Sequence, residues 1–180
     1  MFKLAIIVGT DRPNSQSQLM AEHVKTLYVN IGVDAKIYSM AFFPLNQVVG
    51  GAYRSDIPEI EAFNAPILAC DALLFIIPEY NGSFPGILKI FVDYLPFPHA
   101  FQKMPIAYIG IAAGDFGSLR AVEQFQMVAN YRKAISYPER LFISRFSANF
   151  SKEEGLTIPL QKQLLQSQTK GFVDFVLRMQ

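Results

Sequence analysis

The sequence is poor in the residues that build metal sites and disulfides. It holds one cysteine and two histidines in 180 residues. A lone cysteine excludes a disulfide within the chain, so we predict that Cys70 is a buried core thiol and that the protein occupies a reducing compartment. Neither His23 nor His99 has other potential ligands at metal spacing, and we therefore expect no metal site.

Charge and long apolar segments are scarce as well. Charged residues make up 17% of the chain, and the formal net charge is +1. Lysine and arginine form no cluster of the kind that contacts a phosphate backbone, so nothing indicates a nucleic-acid-binding protein. The opening run, MFKLAIIVG, is too short for a secretion signal or a membrane span. We expect a cytoplasmic protein that binds neither nucleic acid nor membrane.

Hydrophobic residues are abundant, at 51% of the chain, and lie in continuous runs rather than alternating with polar ones. Such runs are typical of strands buried on both faces of a parallel sheet. We predict strands at residues 4–8, 35–38, 72–77, 106–112 and 141–143. The segments between and after these strands have apolar residues at helical spacing. In one of them, the predicted helix face carries Met20, Val24, Leu27 and Ile31. The alternation predicts one domain over residues 1–180, a three-layer doubly wound α/β fold with a five-stranded parallel sheet.

The loop after the first strand, GTDRPNSQS at residues 9–17, can hold a phosphate. It lacks the glycine patterns of nucleoside-triphosphate and dinucleotide loops. Thr10, Ser15 and Ser17 supply hydroxyls beside a helix N-terminus, and Arg12 supplies a positive charge. The alternative is that Ser15 or Ser17 is only an N-cap and Arg12 a solvated side chain.

Two further loops follow predicted strands, where ligands bind in open parallel sheets. In PEYNGS, residues 78–83, Asn81-Gly82 permits positive φ and predicts a tight loop whose backbone groups can read the polar edge of a flat heterocycle beside Tyr80. A plain strand-to-helix turn favours the same residues. In AAGDFGSLR, residues 112–120, two glycines would let the chain form a second wall of the cleft. No catalytic triad can be assembled, so the chemistry of an enzyme would belong to a cofactor.

The helix predicted after PEYNGS is apolar on two faces. The first face carries Leu88, Phe91, Val92 and Leu95, and the second carries Ile87, Ile90 and Tyr94. One face suffices for packing on a sheet, so the second predicts a partner, most simply a second copy in a homodimer. Alternatively, the C-terminal helix or the irregular stretch from Met40 to Asp56, long enough for a functional flap, covers the second face.

Together, the three loops resemble motifs of the NADPH-dependent FMN reductase family, flavodoxin-like proteins that include quinone, azo-dye and chromate reductases. GTDRPNSQS is similar to the family's phosphate loop, G-[ST]-x-R-x-x-S-x-[NS]. PEYNGSFPGILKIFVDYL is similar to P-E-Y-N-G-S-x-P-G-x-L-K-N-x-x-D-W-L, and GDFGSLRA to G-G-x-x-G-G-x-R-A. The resemblance covers most of the chain in order.

The resemblance implies strand order 2-1-3-4-5, noncovalent FMN at the strand ends, and NADPH or NADH as electron donor. It also implies a small-molecule electron acceptor (a quinone, azo compound, metal oxyanion or free flavin) and a homodimer or homotetramer. The FMN phosphate would be held by Thr10, Arg12, Ser15 and Ser17. The isoalloxazine would be lined by Pro78, Glu79, Tyr80, Asn81, Gly82 and Ser83, with Gly114 and Asp115 closing the other side. No side-chain acid or base is implied.

Several positions depart from the family pattern. They are Ile90, Tyr94, Asp115, Ser118, Val122 and Gln126. A carboxylate at Asp115 would disfavour an anionic reduced ring unless it points to solvent. Two other functions stay open: a flavodoxin-like electron carrier that does not oxidise NAD(P)H, and a relative without flavin that serves a regulatory or binding role.

Overall fold

The structure of the protein is a computed structural model. It describes residues 2–48, 50, 56–97 and 99–180. The strands are β1 (Lys3–Val8), β2 (Asp34–Ser39), β3 (Ala72–Pro78), β4 (Pro105–Ile111), β5 (Ile135–Ser136), β6 (Leu141–Ile143), β7 (Phe150–Ser151) and β8 (Gly155–Leu156). The helices are α1 (Gln16–Asn30), α2 (Pro58–Leu68), α3 (Gly86–Asp93), α4 (Leu119–Tyr131), α5 (Phe146–Asn149) and α6 (Pro159–Met179). Short 3₁₀ turns cover Met40–Phe42, Leu45–Gln47 and His99–Phe101.

The main sheet is parallel and runs in the order β2-β1-β3-β4-β5, and β6 also pairs with β4. β5 pairs with the start of β4 and β6 with its end, so the two short strands share the fifth position. The predicted order 2-1-3-4-5 is confirmed. The sequence pattern predicted only the β6 part, because β5 has two residues that are not fully buried. Pro138 stands between the two parts and has no N–H to donate to a ladder.

Helices cover both faces of the sheet. Leu4, Ile6 and Val8 of β1 pack in one apolar cluster with residues of α1 and α6. Ala5 and Ile7, which point the other way, pack with residues of α2, α3 and α4. Each large side chain buried this way contributes roughly 1.5–3 kcal/mol to stability. The predicted three-layer arrangement follows from this burial on both faces.

The predicted apolar face of α1 is correct for most of its length. Met20 and Val24 are buried, and Leu27 packs at the edge of the same cluster. Ile31 was predicted on this face, but it is exposed and ends the helix. Gly32 follows with φ +85°, and Val33 N donates to Tyr28 O, which is the bonding pattern of a glycine-terminated helix.

The second face of α3 is largely covered within the chain. Ile87 is buried, and Ile90 and Tyr94 are partly buried against the cluster on their side of the sheet. Phe43, from the predicted flap, lies in the same cluster, with its ring 6.2 Å from that of Phe91. The 40–56 stretch therefore contacts α3 on the first face, at Phe91, while the burial of Ile87 and the partial burial of Ile90 and Tyr94 mean that the second face alone does not require a partner. Within that stretch, residues 49 and 51–55 lie outside the described residues.

None of the helices in the described part of the chain has both the length and the apolar character that a bilayer crossing needs.

Candidate functional site

A cleft of about 490 Å³ opens beyond the carboxyl ends of β1, β3 and β4. Its walls are residues 12–17, 78–80, 111–113 and 146–147. In an open α/β sheet this is the place where ligands bind, because the loops after parallel strands converge there. The cleft therefore brings together parts of all three loops that the sequence singled out.

The first wall of the cleft contains the start of α1. It has hydrogen-bond donors without partners, which an anion could accept from. Ser15 is the N-cap, with Oγ accepting a hydrogen bond from Gln18 N at 3.1 Å, as the N-cap alternative predicted. Ser17 is almost fully buried, and its Oγ has no hydrogen-bond partner among the described residues. A buried hydroxyl without a partner is uncommon, and a ligand oxygen would satisfy it.

Positive charge at this wall comes from Arg12 and from the helix itself. Arg12 is exposed and is the one Lys or Arg among the described residues that line the cleft. The first turn of α1 contains no acidic residue to neutralise the free N–H groups. A helix N-terminus beside an arginine attracts phosphate, so this wall fits a phosphate group.

Thr10 was predicted to hold the phosphate directly, but it stands behind the wall. Its side chain is fully buried, and the residue is not among those that line the cleft. Its Oγ1 accepts a hydrogen bond from Arg12 N at 3.2 Å and lies 2.8 Å from the Tyr80 hydroxyl. Thr10 thus ties the first loop to the second in this structure, and direct contact with a phosphate stays a prediction.

The second wall ends in a tight turn with the predicted positive φ angles. Asn81 has φ +52° and Gly82 φ +77°. Tyr80 N donates to Ser83 O at 2.8 Å, and Ser83 N donates to Tyr80 O at 3.0 Å. These are features of the type I′ turn that Asn-Gly favours. Pro78 to Tyr80 line the cleft, whereas residues 81–83 extend beyond its described lining.

Glu79 brings the one carboxylate among the described residues of the cleft wall. Its Oε1 lies 3.7 Å from Nη1 of Arg120, and its Oε2 is buried without a hydrogen-bond partner. Such an oxygen can accept a hydrogen bond from a ligand N–H group.

The third loop contributes fewer residues to the lining of the cleft than predicted. Ala112 and Ala113 line the cleft, but Gly114 and Asp115 do not. The carboxylate of Asp115 is exposed and accepts a hydrogen bond from Nε of Arg145, which together with the positive charge holds the pKa of Asp115 below its usual range. Asp115 therefore points to solvent, the orientation in which its charge opposes a reduced flavin least.

One wall of the cleft was not predicted from the sequence. Phe146 and Ser147, at the start of α5, close the cleft on the side of β6. Ser147 Oγ accepts a hydrogen bond from Nε2 of Gln16 at 3.3 Å, which joins this wall to the first. The strand-end rule, applied also to the loop after the fifth strand, could have identified these residues.

A second, larger groove of about 870 Å³ lies between α2 and the ends of α3 and α4. Among the residues that the structure describes, none lines both this groove and the cleft at the strand ends. In the parts of the chain that the structure describes, no three His, Cys, Asp or Glu residues come together in a way that could hold a metal ion.

Comparison with known proteins agrees with this geometry. The model of the family described as NADPH-dependent FMN reductase matches residues 2–148. The chain is 27% identical over 176 residues to an FMN-dependent NADPH-azoreductase of Staphylococcus haemolyticus, covering 96% of this chain and 92% of that protein.

Solved structures share the fold at lower identity. A flavoenzyme NAD(P)H:(acceptor) oxidoreductase from Paracoccus denitrificans superposes with a TM-score of 0.77 at 19% identity and covers 99% of both chains. General stress protein 14 from Treponema denticola, in complex with FMN, gives a TM-score of 0.55 at 15% identity and covers 100% of both chains.

Proposed function

The chain belongs to the NADPH-dependent FMN reductase family and is an FMN-dependent NAD(P)H oxidoreductase, and we propose that its FMN lies in the cleft at the strand ends. We infer that one domain over residues 1–180 carries this site. The acceptor is a small molecule such as a quinone, azo compound, metal oxyanion or free flavin. The azoreductase name of the Staphylococcus haemolyticus relative supports this class of acceptor.

Ser17 is the residue on which the fit to FMN depends most. Its buried hydroxyl lacks a partner at the N-terminus of α1, beside the Arg12 side chain. A phosphate at this wall would accept from Ser17 Oγ, from free N–H groups of the first turn and from Arg12. Ser15 is the next donor along the loop, although its oxygen already caps the helix.

The flavin ring belongs on the other side of the cleft. Pro78, Glu79 and Tyr80 form one edge, where Glu79 Oε2 and the backbone can accept or donate hydrogen bonds. The rest of the turn, Asn81 to Ser83, presents its backbone beyond them. Bound FMN would supply the hydride acceptor and electron donor that side chains lack. The chain then has to bind and orient the donor and acceptor, with no obligatory acid or base.

We also propose a cytoplasmic homodimer or homotetramer. Cys70 is buried as a free thiol, which suits a reducing compartment. Exposed apolar side chains of α4 line the groove between α3 and α4: Met127 is 66% exposed and Tyr131 78%. Met127 and Tyr131 are four residues apart on one side of α4, and a subunit seated there would bury both. Light scattering of Met127→Glu and Tyr131→Glu variants tests this interface.

Ligand titration tests the position of FMN. Purified protein is titrated with FMN and with riboflavin, which lacks the phosphate, and binding is followed by flavin fluorescence. Each of Arg12→Ala and Ser17→Ala should weaken FMN by about tenfold, on the order of one charge-assisted hydrogen bond, and leave riboflavin unchanged. Full FMN affinity in both variants would overturn the phosphate assignment.

Turnover separates the reductase from an electron carrier. The FMN-loaded protein should oxidise NADPH or NADH in the presence of a quinone or an azo dye, at a rate above that of free FMN at equal concentration. Comparison of the two nicotinamide donors identifies the preferred one. A flavin-loaded protein that transfers no electrons from either donor would contradict the proposed activity.

A further inference from the structure

The turn at residues 80–83 is held from outside the cleft by a side chain of α4. Ser83 Oγ donates a hydrogen bond to Oε1 of Gln124 at 2.5 Å, and Gln124 Nε2 donates to Gly82 O at 3.4 Å. The amide thus contacts two successive residues of the turn. Neither Gln124 nor Ser83 belongs to the described lining of the cleft.

The chemistry of an amide suits this position. The carbonyl oxygen of Gly82 can only accept, so it must face the Nε2 donor, and Oε1 is then left for the Ser83 hydroxyl. A carboxylate in its place would accept from Ser83 but repel Gly82 O. An apolar side chain would leave both groups without this partner.

A second contact from α4 to the same loop is weaker. Arg120, one helical turn before Gln124, lies 3.7 Å from Glu79, but its side chain is 55% exposed. Exposed ion pairs contribute little because water and salt screen them. The contact from Gln124 to Ser83 is shorter than the one from Arg120 to Glu79, and the amide carries no charge to be screened. Gln124 therefore stabilises the position of the turn more than Arg120 does.

The turn needs such a hold. Asn81 is exposed, and both central residues have positive φ. The backbone hydrogen bonds between Tyr80 and Ser83 close the turn, but they do not fix the direction of the turn relative to α4. On the cleft side, the Tyr80 hydroxyl anchors the turn to Thr10. Gln124 anchors the opposite side, so the orientation of the peptide groups at residues 82–83 depends on it.

We propose that Gln124 is a positioning residue for flavin binding: it fixes the 80–83 turn in the orientation that receives the isoalloxazine ring. This assignment rests on the proposed location of FMN in the cleft. Because the effect acts at the ring and not at the phosphate, removal of the amide weakens FMN and riboflavin by the same factor.

The test compares four variants by fluorescence titration with FMN and riboflavin. Gln124→Met, similar in length and in helix propensity, should weaken both ligands by about tenfold, as expected for two lost hydrogen bonds. Ser83→Ala should weaken both by a smaller factor, and the double variant should be no weaker than Gln124→Met alone. Gln166→Met, at an exposed glutamine of α6, is the matched control and should bind as the wild type does.

A Gln124→Glu variant supplies a readout that a general loss of stability does not produce. Its carboxyl group can donate to Gly82 O only when protonated, so its affinity for riboflavin should improve from pH 7 to pH 4, the range in which a glutamic acid with an ordinary pKa of about 4.3 takes up a proton, relative to that of the wild type. Urea unfolding of the flavin-free proteins completes the set: Gln124→Met should be somewhat less stable than the wild type, because the two hydrogen bonds are present without flavin, but fully folded under the titration conditions.

The outcomes separate the two proposals. Wild-type affinity for both flavins in Gln124→Met would overturn the positioning role while leaving the FMN site in place. If Gln124→Met has an effect on riboflavin but neither Arg12→Ala nor Ser17→Ala has one on FMN, the phosphate assignment fails and the positioning role stands.

Discussion

The hydroxyl of Tyr80 lies 2.8 Å from Oγ1 of Thr10, and this contact joins the loop after β3 to the loop after β1. Because Thr10 is buried behind the cleft, we expect it to act on the flavin through Tyr80. Tyr80→Phe should then weaken FMN and riboflavin alike, by about fivefold for one lost hydrogen bond. Thr10→Val also removes the acceptor of Arg12 N, so it should weaken riboflavin as Tyr80→Phe does and FMN by more, and the double variant should be no weaker than Thr10→Val. Wild-type affinity for riboflavin in Thr10→Val would refute the link through Tyr80.

Arg132 caps the end of α3 from α4. Its buried guanidinium donates to the carbonyl oxygens of Val92, Leu95 and Pro96. Val92 O also accepts from Leu95 N, and Pro96 O from Ala100 N, so the guanidinium adds further hydrogen bonds at the helix end. Arg132→Met should lower the free energy of unfolding by about 3 kcal/mol, since charged donors and a favourable helix-end charge are lost together. Urea denaturation measures this, with the exposed Arg178→Met as control. Equal midpoints for the two variants would refute the capping role.

Ser118 occupies a position that suits glycine. It has φ +70°, is fully buried, and its hydroxyl has no hydrogen-bond partner among the described residues. A left-handed serine costs about 1–2 kcal/mol, so Ser118→Gly should raise the free energy of unfolding by about 1 kcal/mol despite the greater freedom of the unfolded glycine. Ser118→Ala removes only the hydroxyl and should gain less. If the glycine variant is less stable than the alanine variant, backbone strain is not the cause.

The sequence predicted the sheet well, because strands buried on both faces leave continuous apolar runs that need no partner to be recognised. It also placed Arg12, Ser17 and Pro78 to Tyr80 at the cleft, since loops after parallel strands converge. The link from Gln124 to Ser83 could not be predicted, because it joins residues 41 positions apart. No local pattern records which side chain of a later helix meets a given turn.

The apolar faces of α3 show a second limit. Helical spacing correctly grouped Phe91 and Leu95, and both are buried. Spacing does not say what covers a face, so it could not show that Phe43 would pack against Phe91 or that Met127 and Tyr131 of α4 would be exposed. Substitution of Phe91 would therefore test the core of the subunit, and Met127 and Tyr131 are the residues that test an interface.

Gly171 allows α6 to pack closely against the side chain of Tyr137. A Cβ atom at this position would collide with the Tyr137 hydroxyl. The Tyr137 ring is buried and lies 5.5 Å from that of Phe172. Gly171→Ala should lower the free energy of unfolding by about 1–3 kcal/mol through overpacking, although alanine favours the helix. Tyr137→Phe in the same chain should recover most of the loss in thermal denaturation, because it removes the colliding oxygen. Failure of that rescue would place the strain elsewhere.

His23 makes the stability of the fold depend on pH. Its ring packs against Gly155 and meets Phe150 edge-on, with centroids 5.8 Å apart, where the β7–β8 hairpin covers α1. Burial, and then the positive charge of Lys162, lower the pKa of His23 from its ordinary value of 6.5. The unfolded chain therefore takes up a proton at His23 before the folded chain does as the pH falls.

The stabilising contribution of neutral His23 is complete above pH 6.5 and is lost as the pH falls through the lowered pKa of the folded state. Free energies of unfolding measured in urea between pH 5 and 8 should decline below pH 6.5 more steeply for the wild type than for His23→Gln. The difference in slope is at most about 1.4 kcal/mol per pH unit for one proton. The carboxylates are common to both proteins, so their titration cancels when the two slopes are compared. Parallel curves for the wild type and His23→Gln would show that the ring does not titrate with folding.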